Sequence, residues 1–153
     1  MKKSLIVLSG VCVMALTACS EDGPASKIAG QAPKALEGTS WQLVTGEAKS
    51  ASGDCENLPP LMTFMPDSRV AGNLGCNRFT GGYKIDGKTF QFDDKIASTR
   101  MMCAPEAMKM EERMTAIITQ TRFMTQDDKG LMLWNEKGEL LAQFEPEVPG
   151  ACQ

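Results

Sequence analysis

Residues 72–92 read "GNLGCNRFTGGYKIDGKTFQF" and combine a cysteine-containing turn with a tight hairpin. The pair Asp86-Gly87 predicts a two-residue type I′ turn, because both central positions of that turn need positive φ. In this register Tyr83 faces Phe90 across the hairpin. One face then carries the large apolar side chains and is predicted to face the core: Tyr83, Ile85, Phe90 and Phe92.

Short apolar runs bounded by turn residues surround this hairpin and predict further strands. They are "TSWQLVTG" (39–46), "LMTFM" (61–65), "RVAGNLG" (69–75), "IASTRMMC" (96–103), "RFMTQ", "LMLWN" and "ELLAQFE". The last three predict a closing antiparallel meander, with its turns at residues 127–130 and 136–138.

The segment 104–121, "APEAMKMEERMTAIITQT", changes to helical spacing. Pro105 suits the first helical turn, and Glu106 favours the positive end of the helix dipole. The apolar stripe comprises Ala107, Met110, Met114, Ile117, Ile118 and Thr121. The predicted fold class is therefore α+β: a curled or partly closed antiparallel sheet with one amphipathic helix packed on its apolar face.

The N-terminus predicts export. A basic start precedes an apolar run from Leu5 to Leu16 that is too short to span a bilayer and is typical of a signal peptide over residues 1–18. The run ends in Leu16-Thr17-Ala18-Cys19, which resembles a bacterial lipobox and predicts lipid attachment at Cys19. The alternative is an ordinary signal peptide cut after Ala18. Because Ser20 and not Asp follows the cysteine, we expect an outer-membrane lipoprotein facing the periplasm.

Residues 19–35 carry the lipidated cysteine and are rich in small residues, which predicts a flexible tether. Residues 36–146 have the length of one domain, and 147–153 form a tail that a disulfide would hold. The net charge of -3 without a basic cluster argues against nucleic acid as a partner, and we expect a monomer. The chain has no histidine, the commonest general base and zinc ligand, so we expect no catalysis, no cofactor and no metal.

Four cysteines remain after the predicted cleavage and lipidation: Cys55, Cys76, Cys103 and Cys152. An exported chain with an even count favours disulfides, but four cysteines permit three pairings and the sequence does not choose among them. Reactive thiols at Cys76 and Cys103 are the alternative, since Arg78 and a helix start lie nearby. A structural bridge is favoured by compartment and count, and Cys55 would then pair with Cys152.

Two other groups of residues permit binding. Asn77 suits a turn leaving the strand, and Arg78 or Arg100 would bond loop carbonyls, a carboxylate or a ligand. The chain has eleven methionines, whose thioethers can bind Cu(I). Adaptable core packing explains most of them, and a methionine-lined core also leaves room for an apolar guest between helix and sheet.

"GCNRFTGGYKIDG" followed by "ASTRMMCAPEAMKMEERM" resembles the META domain family, and within it the heat-shock lipoproteins. The resemblance runs from about residue 39 to residue 144. The positions that match the family motif are Cys76, Asn77, Arg78, Phe79, Arg100 and Cys103. The resemblance implies a small antiparallel β domain with one helix, no catalytic activity, no substrate and no cofactor. It also implies a link to heat shock and novobiocin tolerance.

Three hypotheses about function follow. The first is a non-enzymatic envelope lipoprotein, held to the outer membrane by its anchor, which binds an envelope protein or maintains the envelope under stress. The second is a carrier of a lipid or small hydrophobe, similar to the pilot lipoproteins of secretins. The third and weakest is a redox or copper-handling protein.

Overall fold

The computed structural model describes residues 35–45, 59–127 and 130–147. These ranges contain nine strands and one helix, α1 (Pro105–Gln120). The strands are β1 (Thr39–Leu43), β2 (Leu61–Met65), β3 (Arg69–Asn73), β4 (Arg78–Asp86), β5 (Thr89–Phe92), β6 (Ala97–Ser98), β7 (Phe123–Asp127), β8 (Gly130–Trp134) and β9 (Leu140–Pro146).

The strands form one antiparallel sheet in the order β5-β4-β3-β2-β1-β9-β8-β7, with β6 added beside β4. The sheet curls until its two ends meet, and the amide of Phe90 in β5 donates to the carbonyl of Arg122, which precedes β7, at 2.9 Å. The predicted α+β class is confirmed: the sheet is nearly closed into a barrel, and one helix accompanies it. The predicted closing meander is confirmed as β7, β8 and β9.

The core fills the inside of this curl. Phe64 lies at its centre and makes edge-to-face contacts with Tyr83 and Phe90, at ring distances of 5.2 and 6.3 Å. Helix α1 buries Met114, Ile117 and Ile118 of its apolar stripe. It packs against β5 and β9, so the helix covers the apolar interior of the sheet as predicted. No helix in the described ranges has both the length and the apolar character needed to cross a membrane.

The predicted turn of the β4–β5 hairpin is wrong by one residue. Asp86 pairs with Thr89, and Tyr83 pairs with Phe92 instead of Phe90, so Gly87 and Lys88 occupy the turn. Only Gly87 of these adopts positive φ, at 56°. A type II′ turn needs positive φ at its first central position, which Gly87 supplies, so Asp86 pairs as the last residue of β4.

The face of the hairpin was predicted correctly, because the register moved by an even number of residues. Tyr83, Phe90 and Phe92 are buried. Ile85 shares their face but is 46% exposed, since it lies beyond the edge of the core near the turn.

The predicted strand over 96–103 is mostly wrong. Only Ala97 and Ser98 pair with β4, opposite Thr80 and Phe79. The amide of Thr99 still donates to the carbonyl of Arg78, but the ladder ends before Met101, whose amide and carbonyl bond to the side chain of Asn77 instead.

Candidate functional site

The motif cysteine and its neighbours lie in the short connection between β3 and β4. This loop is tight: the carbonyl of Asn77 accepts from the amide of Leu74 at 2.8 Å, and the side chain of Asn73 accepts from the amide of Gly75 at 3.2 Å. Gly75 has φ of 121°, and an added Cβ would lie 3.0 Å from the side chain of Met110 in α1. The glycine therefore lets the loop lie directly on the helix.

Asn77 is only 2% exposed, which is unusual for a polar side chain. Its Oδ1 accepts two hydrogen bonds from the segment before α1: one from the amide of Met101 at 2.7 Å and one from the hydroxyl of Thr99 at 2.8 Å. Its Nδ2 donates to the carbonyl of Met101 at 3.2 Å. Asn77 thus takes the place of a neighbouring strand for Met101.

The same amide binds the helix. Nδ2 of Asn77 donates to Oε2 of Glu111 at 2.8 Å, and the backbone amide of Asn77 donates to the same oxygen at 3.0 Å. Hydrogen bonds to a carboxylate are stronger than those between neutral groups. Asn77 therefore joins three parts of the chain: the β3–β4 loop, the 99–103 segment and α1.

A disulfide joins Cys76 to Cys103 across a separation of 27 residues, with 5.9 Å between the Cα atoms. It connects two of the segments that Asn77 also joins. In the chain-entropy model a loop of this length contributes about 3.6 kcal/mol to stability. The bridge and the amide network act together, and both hold the backbone of the 99–103 segment in one position.

The arginines of the motif play a different part from Asn77. Arg78 binds the 99–103 segment through its backbone, since its amide donates to Oγ1 of Thr99 at 3.1 Å and its carbonyl accepts from the amide of Thr99 at 3.0 Å. The side chains of Arg78 and Arg100 are exposed. Within the described residues neither guanidinium has a carboxylate partner.

Two large apolar side chains lie beside these arginines. Met101 is 57% exposed and Met102 is 95% exposed. We call the exposed side chains of Arg78, Arg100, Met101 and Met102 the Arg–Met surface. Asn77 and the disulfide hold the backbone of this surface, whereas its four side chains make no hydrogen bond or ion pair with the described residues.

The remaining motif residue, Phe79, is a core residue. It is 3% exposed and lies in β4 opposite Gly72 of β3. An added Cβ on Gly72 would lie 1.8 Å from the carbonyl oxygen of Leu61 and 3.1 Å from the ring of Phe79. Phe79 therefore has a packing role.

Three predicted site residues lie outside the described ranges: Cys19, Cys55 and Cys152. Lipid attachment at Cys19 and a bridge between Cys55 and Cys152 stay predictions.

Glu111 is the residue that sequence reasoning missed. It lies four residues after Ala107 and three before Met114, so it falls within the apolar stripe of α1. A carboxylate at core spacing signals a buried polar partner. That signal was present in the sequence, although it did not identify Asn77 as the partner.

Two clefts adjoin the site. One of about 300 Å³ lies between α1 and the chain after β5, with an apolar floor formed by Leu74, Phe92, Ile96 and Ile118. The other, of about 650 Å³, is shallow and polar and runs over Gly81 and Gly82. Asp93 borders both clefts, and its Oδ1 lies 3.6 Å from Nζ of Lys84.

The described ranges hold no group of three or more His, Cys, Asp or Glu residues placed to bind a metal ion. Burial raises the pKa of the Tyr83 hydroxyl above its usual value, and the negative charge of Glu37 raises it further. Tyr83 belongs to the aromatic core and packs on Phe90 at 5.4 Å, so this shift follows from packing.

Comparisons with known proteins agree with this geometry. The chain is similar to an NMR structure of a protein from Burkholderia xenovorans, with 20% identity over 77% of this chain and 92% of that one and a TM-score of 0.58. A second NMR structure shares 23% identity over 72% of this chain and 90% of that one, with a TM-score of 0.54.

A crystal structure of a DUF4847 family protein from Bacteroides vulgatus shares 13% identity over 71% of this chain and 92% of that one, with a TM-score of 0.50. At these identities the three structures show a common fold. No curated protein matches the chain. The model of the META domain matches residues 34–148, which is most of the chain and includes the Asn77 network, the disulfide and α1. The chain therefore belongs to the META domain family.

Proposed function

We propose that this protein is a non-enzymatic, HslJ-type lipoprotein of the bacterial envelope, which supports stress tolerance by binding an envelope protein through the Arg–Met surface. The observation that carries the proposal is that the backbone of the 99–103 segment is fixed whereas its side chains are exposed. Its backbone is held by Asn77 and a disulfide, while its arginine and methionine side chains are exposed to solvent.

Such an arrangement is favourable for binding. A backbone that is already ordered loses little conformational entropy when a partner docks. Methionine and arginine are both enriched at protein interfaces, because methionine adapts to apolar pockets and arginine makes planar, multiple hydrogen bonds. The chemistry of the surface fits a partner with an apolar depression bordered by carboxylates.

The lipobox-like Leu16-Thr17-Ala18-Cys19 supports attachment to the outer membrane. A membrane anchor would restrict the domain to a thin layer near the bilayer, which raises the effective concentration of any partner in the same membrane. The lack of histidine in the chain supports a role in recognition over one in catalysis.

Site-specific photo-crosslinking in intact cells tests the proposal. A photoreactive amino acid at Ala104, which is exposed and directly follows the disulfide, is expected to give a discrete protein adduct, whereas the same group at Lys137 in the distant β8–β9 turn is not. Arg100→Glu is expected to lower the adduct at least tenfold. Lys88→Glu makes the same charge change on the exposed β4–β5 turn and should leave it unchanged. Equal adducts from positions 104 and 137, or no effect of Arg100→Glu, would refute docking at this surface.

The 300 Å³ cleft supports a second candidate function, transport of a small hydrophobe. Its size is at the lower limit of ligand pockets, and its floor is apolar with polar residues around the opening. Native mass spectrometry of gently purified full-length protein would show a bound lipid. Thr115→Trp, an exposed position at the cleft, should abolish that bound mass without unfolding the domain, while Lys109→Trp on the same helix should retain it.

A further inference from the structure

The methionines of the described ranges differ sharply in exposure. Met62 and Met114 are 0% exposed and Met124 is 1% exposed, so the core holds them away from solvent. Met65, Met108, Met110 and Met132 are partly buried. Met102, by contrast, is 95% exposed and Met101 is 57% exposed. Oxidation of a thioether requires contact between its sulfur and a dissolved oxidant, so this order of exposure predicts an order of reaction.

The cysteines next to this pair do not compete for the oxidant. Cys103 directly follows Met102, and its sulfur is already bonded to Cys76. A free thiolate would react with peroxide and proceed along the cysteine oxidation series, but a disulfide has no thiolate. The sulfur atoms of this surface that can react with a dissolved oxidant are therefore those of Met101 and Met102.

The position of the segment does not depend on the methionine side chains. Met101 is fixed by its own amide and carbonyl, which bond to Oδ1 and Nδ2 of Asn77 at 2.7 and 3.2 Å. The side chain of Met102 is almost fully exposed, so an oxygen atom added to its sulfur has room without displacing the fold. Oxidation of a core methionine would instead place a polar group in an apolar interior and disrupt it.

We propose that Met102, followed by Met101, is a reversible oxidation site that switches the Arg–Met surface between an apolar and a polar state. Hydrogen peroxide transfers one oxygen atom to the thioether sulfur, which gives the sulfoxide and one molecule of water. The sulfur is oxidised by two electrons and the peroxide O–O bond breaks. A thiol-dependent methionine sulfoxide reductase reverses the step, removing the oxygen as water while two thiols become a disulfide.

The switch rests on the proposed docking function, whereas the oxidation site does not. A sulfoxide is polar and chiral, so it no longer fits an apolar depression that accepts a methionine. Docking through this surface would then weaken under oxidising stress and recover after reduction. The fold and the disulfide would remain unchanged in both states.

Limited oxidation of the full chain with hydrogen peroxide, followed by peptide mass mapping, tests the site. We expect Met102 to gain 16 mass units at least tenfold faster than Met62, Met114 or Met124, with Met101 second and the melting temperature of the singly oxidised protein unchanged. The double variant Met101→Leu/Met102→Leu should lose the fast phase. A sulfoxide reductase should restore the original mass at position 102. Oxidation of the core methionines at the same rate, or unfolding on the first oxidation, would overturn the assignment.

The crosslinker at Ala104 tests the switch separately. Peroxide should lower its adduct at least fivefold in the wild-type background. In Met101→Leu/Met102→Leu, which keeps apolar side chains on the surface, the adduct should be the same with and without peroxide, whatever its level before treatment. An adduct that survives complete oxidation of Met102 refutes the switch while docking stands. Absence of any adduct before peroxide refutes docking, and the switch with it, whereas the mass map still decides the oxidation site.

Discussion

Replacement of Asn77 by alanine tests whether this residue holds the site together. The substitution removes the amide that binds Met101, Thr99 and Glu111, and it leaves the amide and carbonyl of Met101 without their partner. Because Asn77 is 2% exposed, water does not reach its position without a rearrangement of the loop.

The magnitude follows from the kinds of bond lost. Each neutral bond contributes about 1 kcal/mol net, and the bond to the Glu111 carboxylate contributes about 1.5 to 3 kcal/mol. The Thr99 hydroxyl is exposed and regains water, and Glu111 keeps its bond from the backbone amide of residue 77. We therefore expect Asn77→Ala to lower the free energy of unfolding by about 3 to 5 kcal/mol.

Asn135→Ala is the matched control. The side chain of Asn135 makes three hydrogen bonds with nitrogen and oxygen partners, against four for that of Asn77, but the three go to Lys137 and Glu139 within its own turn, and the residue is more exposed. Its loss should lower the free energy of unfolding by about 1 kcal/mol, because water replaces its partners. Urea unfolding followed by tryptophan fluorescence would measure both variants. Equal losses for the two would refute the view that burial and long-range bridging make Asn77 important.

Asn77→Asp sharpens the test, because it places a carboxylate against that of Glu111 in place of an N–H donor. Like charges at this distance destabilise the fold, and protonation of either carboxylate removes the repulsion. The folded variant therefore binds a proton more tightly than the unfolded chain, so its stability should fall as the pH rises from about 4 to about 7. Adding Glu111→Gln should weaken this pH dependence, because the repulsion is gone while burial of the new carboxylate remains. A pH dependence of unchanged slope would refute direct contact between the two side chains.

Three further predictions concern the fold around the site. Cys76→Ser/Cys103→Ser should lower the free energy of unfolding by about 3.6 kcal/mol. Denaturant titration would show a much smaller loss if the bridge did not constrain the unfolded state. Tyr83 is the single tyrosine, so absorbance at 295 nm reports its ionisation alone. Because its pKa is raised in the fold, stability should fall as the pH rises above about 10, and Tyr83→Phe should unfold with a shallower pH slope there. Gly72→Ala should lower the free energy of unfolding by about 3 kcal/mol or more, since its Cβ would meet the backbone oxygen of Leu61. Gly87→Asn should lower it by under about 1 kcal/mol, because nothing lies within 4 Å of the added Cβ and Asn tolerates positive φ. Similar melting temperatures for these two glycine variants would contradict this reasoning.

Much of the fold followed from local patterns. The alternation in 39–46 predicted β1, and the apolar run 61–65 between turn residues predicted β2. The helical spacing after Pro105 predicted α1 with its buried Met114. These elements could be predicted because the spacing of apolar residues in each segment matches the set of residues that the fold buries. The pairing of β1 with β9 was not predictable in the same way, since it joins residues more than one hundred positions apart.

The errors have physical causes. The β4–β5 turn was misplaced because Asp86-Gly87 fits the centre of a type I′ turn, whereas Gly87-Lys88 fits a turn with glycine first, and the chain adopts the second. Residues 96–103 were predicted as a strand, but the side chain of Asn77 bonds the amide and carbonyl of Met101 in place of a strand partner. A side chain that takes the place of a strand partner produces no regular spacing of apolar residues in the sequence. The residues of the site could therefore be predicted only from their match to the family motif.

The place of β1 in the sheet determines how the domain responds to a mechanical load. β1 is the first strand of the described chain, yet it lies in the interior of the sheet and is hydrogen-bonded to β2 on one side and to β9 on the other. A pull on the N-terminal end therefore shears two ladders at once, in contrast to an edge strand that peels off one bond at a time. If the chain is fixed to a membrane through its N-terminus, tension from a moving partner reaches the domain at a strand that is held by two ladders.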